Sequence, residues 1–410
     1  MGAKKIGRLG LVVSLAWLIA APAWGRELKV LSYNVWGISG AKYRPERMAE
    51  IARRIKELDP EIVVLAEAFE PAHREILLQG LREQGFPLAT EHYYANGGYG
   101  SGVWVLSKYP AVEEGFQGFR VYVPAGRGEQ KMGKGMAALR LHTPEGDLLL
   151  VGLHALSRTM PLRLGGRVIQ TDARKCNRLL EMFEIADLVQ QEQAETGVRA
   201  VIVAGDFNVS PELLEYQLLL ARSGLKNSFD ALHPGENPPT FSFDNPFVFP
   251  HIQGMNQRID HILFRNFVTG QGPGLAPEES RVVMKETFAL PSGRQIHTSD
   301  HYGMFTVFGL DGAQGQAGAI QSQAGISAAE ADQLLRRVKQ SDLKAEPELW
   351  TRFALSILKS SDEKIVYKSR AVKAAAKVIV DVNGGADFPL HWRDRRALRG
   401  ALSRASYGQK

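Results

Sequence analysis

The sequence predicts an α/β fold, specifically a four-layer α/β sandwich of two mixed β-sheets flanked by helices. Three observations predict it: short apolar runs alternate with amphipathic stretches between residues 27 and 310, tight turns join some of the runs, and helical stretches join others. Runs joined by tight turns form antiparallel strand pairs, which a doubly wound parallel sheet would not contain. A small α-helical appendage is expected at the C-terminus.

The strands are predicted from short apolar runs bounded by polar or turn-forming residues. The first run ends near Asn34, the second leads directly into Glu67, and Gly146-Asp147 is a typical turn between the fourth and the fifth. Strands are accordingly expected at 28–36, 62–65, 102–106, 136–141, 148–154, 200–204, 258–264 and 304–310.

Helices are predicted between several of these strands. In the stretch 47–58, apolar residues recur three or four positions apart and therefore form one face of a helix. A long helix is predicted over 171–191, and Ser210-Pro211-Glu212 carries the start signals of a further helix.

The two ends of the chain differ in composition from the region between them. Residues 1–25 begin with basic residues, continue with an apolar run over 9–21 and end in small residues, which predicts a secretory signal peptide. The apolar run is too short for a membrane-spanning helix. Residues 26–310 form the predicted sandwich domain, residues 311–325 a Gly/Ala/Gln linker, and residues 326–410 a basic helical C-terminal region. The mature protein is therefore expected to be periplasmic or secreted.

The net charge of +6 is distributed unevenly along the chain. Residues 1–25 contribute +3 and residues 326–410 contribute +7, whereas residues 26–325 carry −4. A domain that holds long nucleic acid by neutralising phosphates usually has the opposite balance, so the central charge argues against that class of protein. The basic tail is compatible either with an amphipathic helix lying on an anionic membrane or with the solvated face of a small helical bundle.

Polar residues that can bind a metal or transfer a proton stand at the ends of several predicted strands. Each has an ordinary structural explanation when taken alone, but their repetition at strand ends predicts that they converge on one rim of the sheets. Carboxylate and amide oxygens are the ligands that Mg²⁺ prefers, and two histidines can serve proton transfer at an anionic phosphoryl centre. The residues concerned are Asn34, Glu67, His154, Asp206, Asn208, Asp260, Asp300 and His301.

Several other catalytic classes are excluded by what the sequence lacks. The single cysteine, Cys176, cannot form an intramolecular disulfide or supply a cysteine-rich zinc site, so a metal would need oxygen or imidazole ligands. Neither a Gly-x-Ser-x-Gly nor a His-Glu-x-x-His motif is present. The chemistry that fits the remaining residues is hydrolysis of a phosphodiester by direct attack of water, assisted by a metal ion.

Six ordered motifs resemble those of the endonuclease/exonuclease/phosphatase superfamily, in the same order and at similar spacing, over about residues 27–310. The resemblance implies the sandwich fold and identifies residues 26–310 as the catalytic domain. The motifs are Leu31-Ser32-Tyr33-Asn34-Val35-Trp36, Leu65-Ala66-Glu67, Gly152-Leu153-His154, Gly205-Asp206-Phe207-Asn208, Arg258-Ile259-Asp260-His261-Ile262-Leu263 and Ser299-Asp300-His301.

The resemblance implies a set of catalytic residues. Asp206 would align or deprotonate the attacking water, and Asn208 would hold a phosphate oxygen. His301, oriented by Asp260, would contact the phosphate and take part in proton transfer. His154 would be the second catalytic histidine.

The resemblance also implies a metal site. Glu67 would be the principal ligand, with Asn34 beside it and Asp300 near the ion. The ion would be Mg²⁺, or alternatively Mn²⁺, Ca²⁺ or Co²⁺. The family usually has Gln before the metal-binding Glu, and Ala66 stands there in this chain, so a supporting hydrogen bond is lost or replaced.

Three stretches resemble the neutral sphingomyelinase-like branch of the superfamily, namely 98–110, 131–136 and the loop from 238 to Arg258-Ile259-Asp260. Between Thr240 and Pro250 this loop holds five large apolar residues and a single charge. If exposed, it would insert into a lipid headgroup region, whereas a DNA-binding loop would need basic residues. Alternatively, its aromatic residues pack beneath the loop.

The sequence therefore predicts an exported, divalent-metal-dependent phosphodiesterase that hydrolyses a phospholipid headgroup, a sphingomyelinase-like phospholipase C. The alternative is a secreted DNase I-like endonuclease. The expected partner is a phospholipid or sphingolipid at a membrane surface, bound by a monomer, with no stable nucleic-acid partner. Two details stay open: whether Tyr94 or Tyr99 contacts the phosphate, and whether Lys134 does so, while Lys131 is expected to be solvated.

Overall fold

The structure, a computed structural model, describes residues 27–119, 129, 131–158, 163–164, 167–168, 174–194, 198, 200–248, 256–267 and 274–310. The predicted signal peptide, linker and C-terminal helical region lie outside the described residues. In the described part, no helix combines the length and the apolar character needed to span a membrane. In chain order the elements are β1 (Glu27–Asn34), α1 (Arg44–Leu58), β2 (Ile62–Ala66), α2 (Pro71–Glu83), β3 (Thr90–Tyr93), β4 (Trp104–Ser107), β5 (Ala111–Gly118), β6 (Gly135–Thr143), β7 (Gly146–His154), β8 (Arg163–Leu164), β9 (Arg167–Val168), α3 (Lys175–Ala194), β10 (Ala200–Asp206), α4 (Leu214–Ser223), β11 (Lys226–Asn227), α5 (Ser228–Leu232), β12 (Asp260–Asn266), β13 (Ala276–Val283), β14 (Phe288–Ala289), β15 (Gln295–Ile296) and β16 (Gly303–Gly309).

Two six-stranded sheets form the centre of the fold, with strand orders β13-β16-β1-β2-β4-β3 and β11-β12-β10-β7-β6-β5. Each sheet contains one parallel pair, β1 with β2 and β7 with β10. The other neighbours are antiparallel. The prediction of two mixed sheets is therefore confirmed.

Apolar side chains fill both faces of each sheet. Val64 and Ile202 belong to a buried cluster between the two sheets. On the outer face of the first sheet, Ile51 of α1 packs against strand residues, and Met182 of α3 does the same on the outer face of the second. Burying both faces gives the order helix, sheet, sheet, helix, which confirms the four-layer sandwich.

The strand register brings the polar strand ends to one rim. In the first sheet, β1 and β2 run in parallel and end together at Asn34 and Ala66. In the second sheet, Asp206 at the end of β10 lies opposite both His154 of β7 and Asp260 of β12. Because β1 packs over β10 and β2 over β7, the two sets of strand ends face each other.

Some elements differ from the sequence prediction. The helix expected to open at Ser210 begins at Leu214, because a turn closed by the N–H of Leu213 on the carbonyl of Ser210 precedes it. Helix α2 was not predicted, since its buried face is short and consists of leucines clustered near its C-terminal end. Strand β13 was missed because it lies at a sheet edge and carries exposed charged residues.

Candidate active site

The residues that follow three of these strand ends adopt left-handed backbone conformations. The angle φ is 49° at Trp36, 61° at Glu67 and 52° at Asn208. A Cβ at position 37 would lie 2.2 Å from the carbonyl oxygen of Glu67, so the turn requires Gly37. Left-handed conformations cost non-glycine residues energy and are concentrated at functional sites, which makes this rim a candidate site.

Asp206 forms the hydrogen-bonded centre of the rim and is 2% exposed. Nδ2 of Asn34 donates to its Oδ2 at 3.0 Å, and the backbone N–H of Asn208 donates to its Oδ1 at 2.9 Å. Nδ2 of Asn208 donates in turn to the carbonyl oxygen of Ala155 at 3.0 Å. One carboxylate thereby connects the end of β1 in one sheet to β7 and β10 in the other.

His301 and Asp260 form a second polar pair at the rim. Nδ1 of His301 lies 2.9 Å from Oδ2 of Asp260, and the aromatic ring of Phe241 packs against the imidazole at 5.1 Å between centroids. The backbone N–H groups of Ile259 and Asp260 both donate to Oγ1 of Thr240, at 3.0 and 3.1 Å. The carboxylate therefore holds the imidazole through Nδ1, which leaves Nε2 as the ring nitrogen available to a substrate.

His154 is fully buried between two carboxylates. Its Nε2 lies 3.8 Å from Oε1 of Glu67 and 3.7 Å from Oδ2 of Asp206. Burial, together with the positive charges of Lys134 and His301, nevertheless lowers the pKa of His154 well below its ordinary value. This imidazole is therefore neutral at physiological pH.

The pKa values of Asp206, Asp300, Glu67 and His301 are raised instead. Burial and the charge of Asp260 raise the pKa of Asp206 to about 6, and burial with the charge of Glu67 raises the pKa of Asp300 to about 7. Burial also raises the pKa of Glu67. Burial alone would lower the pKa of His301, but the surrounding carboxylates, chiefly Asp260, raise it to about 10. The rim is thus a crowded set of buried acids with one protonated histidine.

The donor atoms of this rim fit a hard divalent cation. Asp206 and Asp260 each bring a carboxylate oxygen to within 4.8 Å of the other and of a ring nitrogen of His301. Because that ring is protonated, the atoms available to an ion are the oxygens. Oε2 of Glu67 and Oδ1 of Asp260 are buried and accept no hydrogen bond from the described part of the chain. Carboxylate oxygens without partners, beside Glu67 and Asp206 whose pKa values are raised by burial, are the donor set that Mg²⁺ or a similar ion would stabilise.

The three residues predicted as metal ligands lie around this cluster. Asn34 is hydrogen-bonded into it, as described above. Oδ1 of Asp300 lies 3.3 Å from Oγ of Ser299, and the charges of His301 and Glu67 act on the pKa of Asp300. The fold therefore brings all eight predicted site residues to one rim, while their individual roles and the choice of metal ligands stay predictions.

Lys134 is a buried cation beside the rim. Its Nζ donates to the carbonyl oxygen of Ala155 at 3.1 Å and lies 3.2 Å from Oε2 of Glu129. Lys131, by contrast, is exposed, with its ammonium 5.6 Å from the ring centroid of Tyr99. The prediction that Lys131 is solvated is confirmed, whereas the position of Lys134 was left open by the sequence.

The two tyrosines considered for phosphate contact differ in environment. Tyr94 is buried and stacks on His92 and Phe116, with centroid distances of 4.6 and 5.3 Å. Tyr99 is 53% exposed. Within the described residues, neither tyrosine makes a hydrogen bond or ring contact with the eight predicted site residues, so the choice between them stays open.

The apolar loop after Thr240 packs against the site rather than standing free. Phe247 lies 4.8 Å from the ring of Trp36, Phe241 packs on the histidine of the second polar pair, and Val248 is buried. Residues 249 and 250 of the loop lie outside the described part. For Phe241, Phe247 and Val248, the structure supports packing beneath the loop, the alternative to membrane insertion.

Glu181 of α3 supports the loop that follows His154. It is fully buried, its Oε2 accepts the backbone N–H of Leu156 at 2.9 Å, and burial raises its pKa to about 7. A carboxyl whose pKa is raised on folding stabilises the fold below its unfolded pKa, and this contribution is lost as pH rises through the folded value.

Substituting Glu181→Gln is therefore expected to stabilise the protein at pH 8 by about 3 kcal/mol and to change stability little near pH 4.5. The amide oxygen keeps the hydrogen bond to Leu156 without the buried charge. Urea unfolding at both pH values measures the difference, with Glu75→Gln, whose carboxyl is exposed, as the control. If Glu181→Gln and the wild type had the same free energy of unfolding at pH 8, the prediction would be wrong.

The model of the Endonuclease/Exonuclease/phosphatase family matches residues 31–301. This range includes all eight predicted site residues.

Two curated relatives each match about half of the chain. An inositol phosphosphingolipids phospholipase C of Schizosaccharomyces pombe is 26% identical over 223 residues, which cover 52% of this chain and 49% of that protein. The human sphingomyelin phosphodiesterase 2 is 27% identical over 218 residues, covering 51% of this chain and 47% of that protein. The chain thus spans about half the length of these relatives.

A solved structure shows the same fold. TDP2 of D. rerio, crystallised with a single-strand DNA product, superposes with a TM-score of 0.51 at 19% identity, covering 69% of this chain and 98% of the other. At this level of identity the likeness concerns the fold alone.

Proposed function

The chain belongs to the Endonuclease/Exonuclease/phosphatase family, and from this premise we propose that it is a divalent-metal-dependent phosphodiesterase that hydrolyses the headgroup of a sphingolipid or phospholipid. The observation that carries the proposal is the approach of Asp206, Asp260 and His301 to within 4.8 Å beside a neutral His154. The relatives named as a phospholipase C and a sphingomyelin phosphodiesterase support a phosphosphingolipid as substrate.

The attacking group in this proposal is water. Asp206 is held by two donated hydrogen bonds, and burial with the charge of Asp260 raises its pKa to about 6, so it is largely ionised at neutral pH and can accept a proton. The water oxygen bonds to phosphorus while the bond between phosphorus and the lipid alcohol oxygen breaks. Asn208 keeps a second hydrogen on Nδ2 that can be donated to a phosphoryl oxygen.

His301 supplies a positive charge beside the phosphodiester and the proton that the departing alcohol oxygen receives. Although burial opposes its charge, the carboxylates around it raise its pKa to about 10, so the ring is protonated at neutral pH. Asp260 fixes the ring through Nδ1, and Nε2–H is free to donate to the phosphodiester and then to the departing alcohol oxygen.

Glu67 and Asn34, with Asp300, are the residues proposed to hold the divalent ion. When bound, such an ion neutralises charge on the phosphoryl oxygens. The buried Oε2 of Glu67, which accepts no hydrogen bond within the described residues, supports this assignment. Neutral His154 lies within 4 Å of Glu67 and adds no charge beside that carboxylate.

We also propose that the protein acts outside the cytoplasm, as a monomer at a lipid surface. The basic start and apolar run of residues 1–25 support export. The charge of −4 on residues 26–325 supports a substrate other than long nucleic acid.

The purified protein is expected to release phosphocholine from sphingomyelin liposomes with Mg²⁺, to lose this activity in EDTA, and to leave supercoiled DNA intact under both conditions. Phosphocholine release and the nicking of plasmid are the two measurements. The control is His301→Ala, which is expected to be inactive on lipid. Cleavage of DNA without turnover of lipid would contradict the proposal and favour an endonuclease.

A further inference from the structure

The guanidinium of Arg47 on α1 is fully buried, and within the described residues all its hydrogen bonds go to backbone carbonyls. Nε donates to Lys42 at 2.9 Å and Nη2 donates to Trp36 at 2.9 Å. Nη1 donates to both Val35 and Thr298, each at 2.8 Å. One planar side chain thus joins the segment after β1 to the segment before β16.

Those two segments carry several predicted site residues. Asn34 immediately precedes Val35, whose carbonyl accepts from Arg47. Asp300 and His301 follow Thr298, another of the acceptors, within three residues. A parallel connection runs beside Arg47, since Oγ of Ser299 donates to the carbonyl oxygen of Asn34 at 2.7 Å. The relative position of Asn34 and His301 therefore depends on contacts between these segments.

No ion pair within the described residues accounts for the charge at position 47, which is stabilised by hydrogen bonds to carbonyl oxygens instead. Burial lowers the pKa of Arg47 to about 10, and no carboxylate of the described residues lies within ion-pair distance of it. A buried cation without an adjacent counter-ion is costly. The hydrogen bonds to the four carbonyl oxygens offset that cost, and an apolar side chain of similar volume would leave those oxygens without a donor.

Arg54 provides the contrast. It lies on the same helix two turns later and is also buried, but Glu50 neutralises it through a hydrogen bond of 2.8 Å and Glu286 lies 3.4 Å from it. Its backbone partners are Glu286 and Thr287, away from the rim. Arg54 has the ordinary features of a structural ion pair, and Arg47 does not.

We propose that Arg47 is a positioning residue for phosphodiester hydrolysis, which sets the distance between Asn34 and the Asp300-His301 segment by tying their backbones together. The inference rests on the proposed function. A lysine would keep the charge but could not reach four carbonyls with one nitrogen, so geometry rather than charge is the property required.

The test compares Arg47→Lys and Arg47→Gln with Arg54→Gln in the full chain. Both Arg47 variants are expected to lose about 10²-fold in kcat on sphingomyelin, with KM changed by no more than about threefold, because misplacement of reacting groups by about 1 Å has this cost. Arg54→Gln is expected to lower Tm and to keep wild-type kcat. Wild-type kcat in Arg47→Lys, or an equal loss of kcat in Arg54→Gln, would overturn the proposal.

A second measurement does not depend on turnover. Mn²⁺ is expected to raise the Tm of the wild type and of Arg54→Gln by the same amount, and to raise that of Arg47→Lys by less, because its ligand segments are no longer held together. If the wild type cleaves no lipid, the proposed function fails, and the Mn²⁺ shifts still decide the role of Arg47. Equal shifts in the wild type and Arg47→Lys would overturn it.

Discussion

Replacing Asp206 with asparagine is expected to lower kcat by about 10²–10⁴-fold while leaving Tm close to that of the wild type. The proposed base is lost because an amide cannot accept the proton of the attacking water. The change in shape is minimal, and the amide oxygen can still accept the backbone N–H of Asn208, as Oδ1 does at 2.9 Å.

Two effects on stability oppose each other in this variant. Nδ2 of Asn34 loses the carboxylate oxygen that accepts it at 3.0 Å, which destabilises the fold. Burial and the nearby Asp260 raise the pKa of Asp206 to about 6, so removing its charge relieves an unfavourable burial. These opposing effects are the reason for expecting little change in Tm.

Asp187→Asn is the matched control for the Asp206 substitution. Asp187 is also a largely buried aspartate, but it accepts from Nε of Arg222 at 2.9 Å on the outer helical layer, away from the rim. Its replacement is expected to lower Tm and to leave kcat unchanged. If Asp206→Asn retained more than about a tenth of wild-type kcat, Asp206 would not be the base.

The architecture and the convergence of the site residues could both be predicted from the sequence. The strand that runs into Asn34 and the one that runs into Glu67 are recognisable as apolar runs ending in polar residues, and ordered motifs placed Asp206 and His301 with them. The parallel pairing of β1 with β2 and of β7 with β10 then brings these ends together. The strands and the polar residues at their ends were therefore predictable, because local sequence patterns encode both.

The side chains that hold the site in place were not predictable in the same way. Arg47 stands in an amphipathic helix rich in exposed charges, and nothing in its sequence neighbourhood separates it from Arg53, which is half-exposed. Lys134 resembles a solvated lysine until β6 is placed beside β7, which buries it against Ala155. Their roles arise from contacts between residues distant in sequence, which no local periodicity reports.

The substitution Asp260→Asn is expected to shift the whole pH–rate profile to lower pH and to reduce kcat at pH 7 by about 10²-fold. Asparagine can still accept the hydrogen bond from Nδ1 of His301, now 2.9 Å from Oδ2 of Asp260, so the variant removes charge while keeping the orientation of the ring. The readout is kcat on sphingomyelin liposomes across pH 5 to 10.

Both limbs of the profile move in the same direction for separate reasons. Burial lowers the pKa of His301, and Asp260 is the chief carboxylate that raises it to about 10, so without that charge the ring loses its proton at lower pH and activity falls earlier on the alkaline side. Burial and the same carboxylate raise the pKa of Asp206 to about 6. Without Asp260 the base stays ionised further into acid, and the acidic limb also moves down.

Asp230→Asn tests whether this shift is specific to the pair. Asp230 forms an ion pair with Arg258, two residues before Asp260, yet it is partly exposed and has no contact with His301. Its loss is expected to leave both limbs in place. An unchanged profile in Asp260→Asn would mean that Asp260 does not hold His301 protonated, and the assignment of this pair as the proton donor would be wrong.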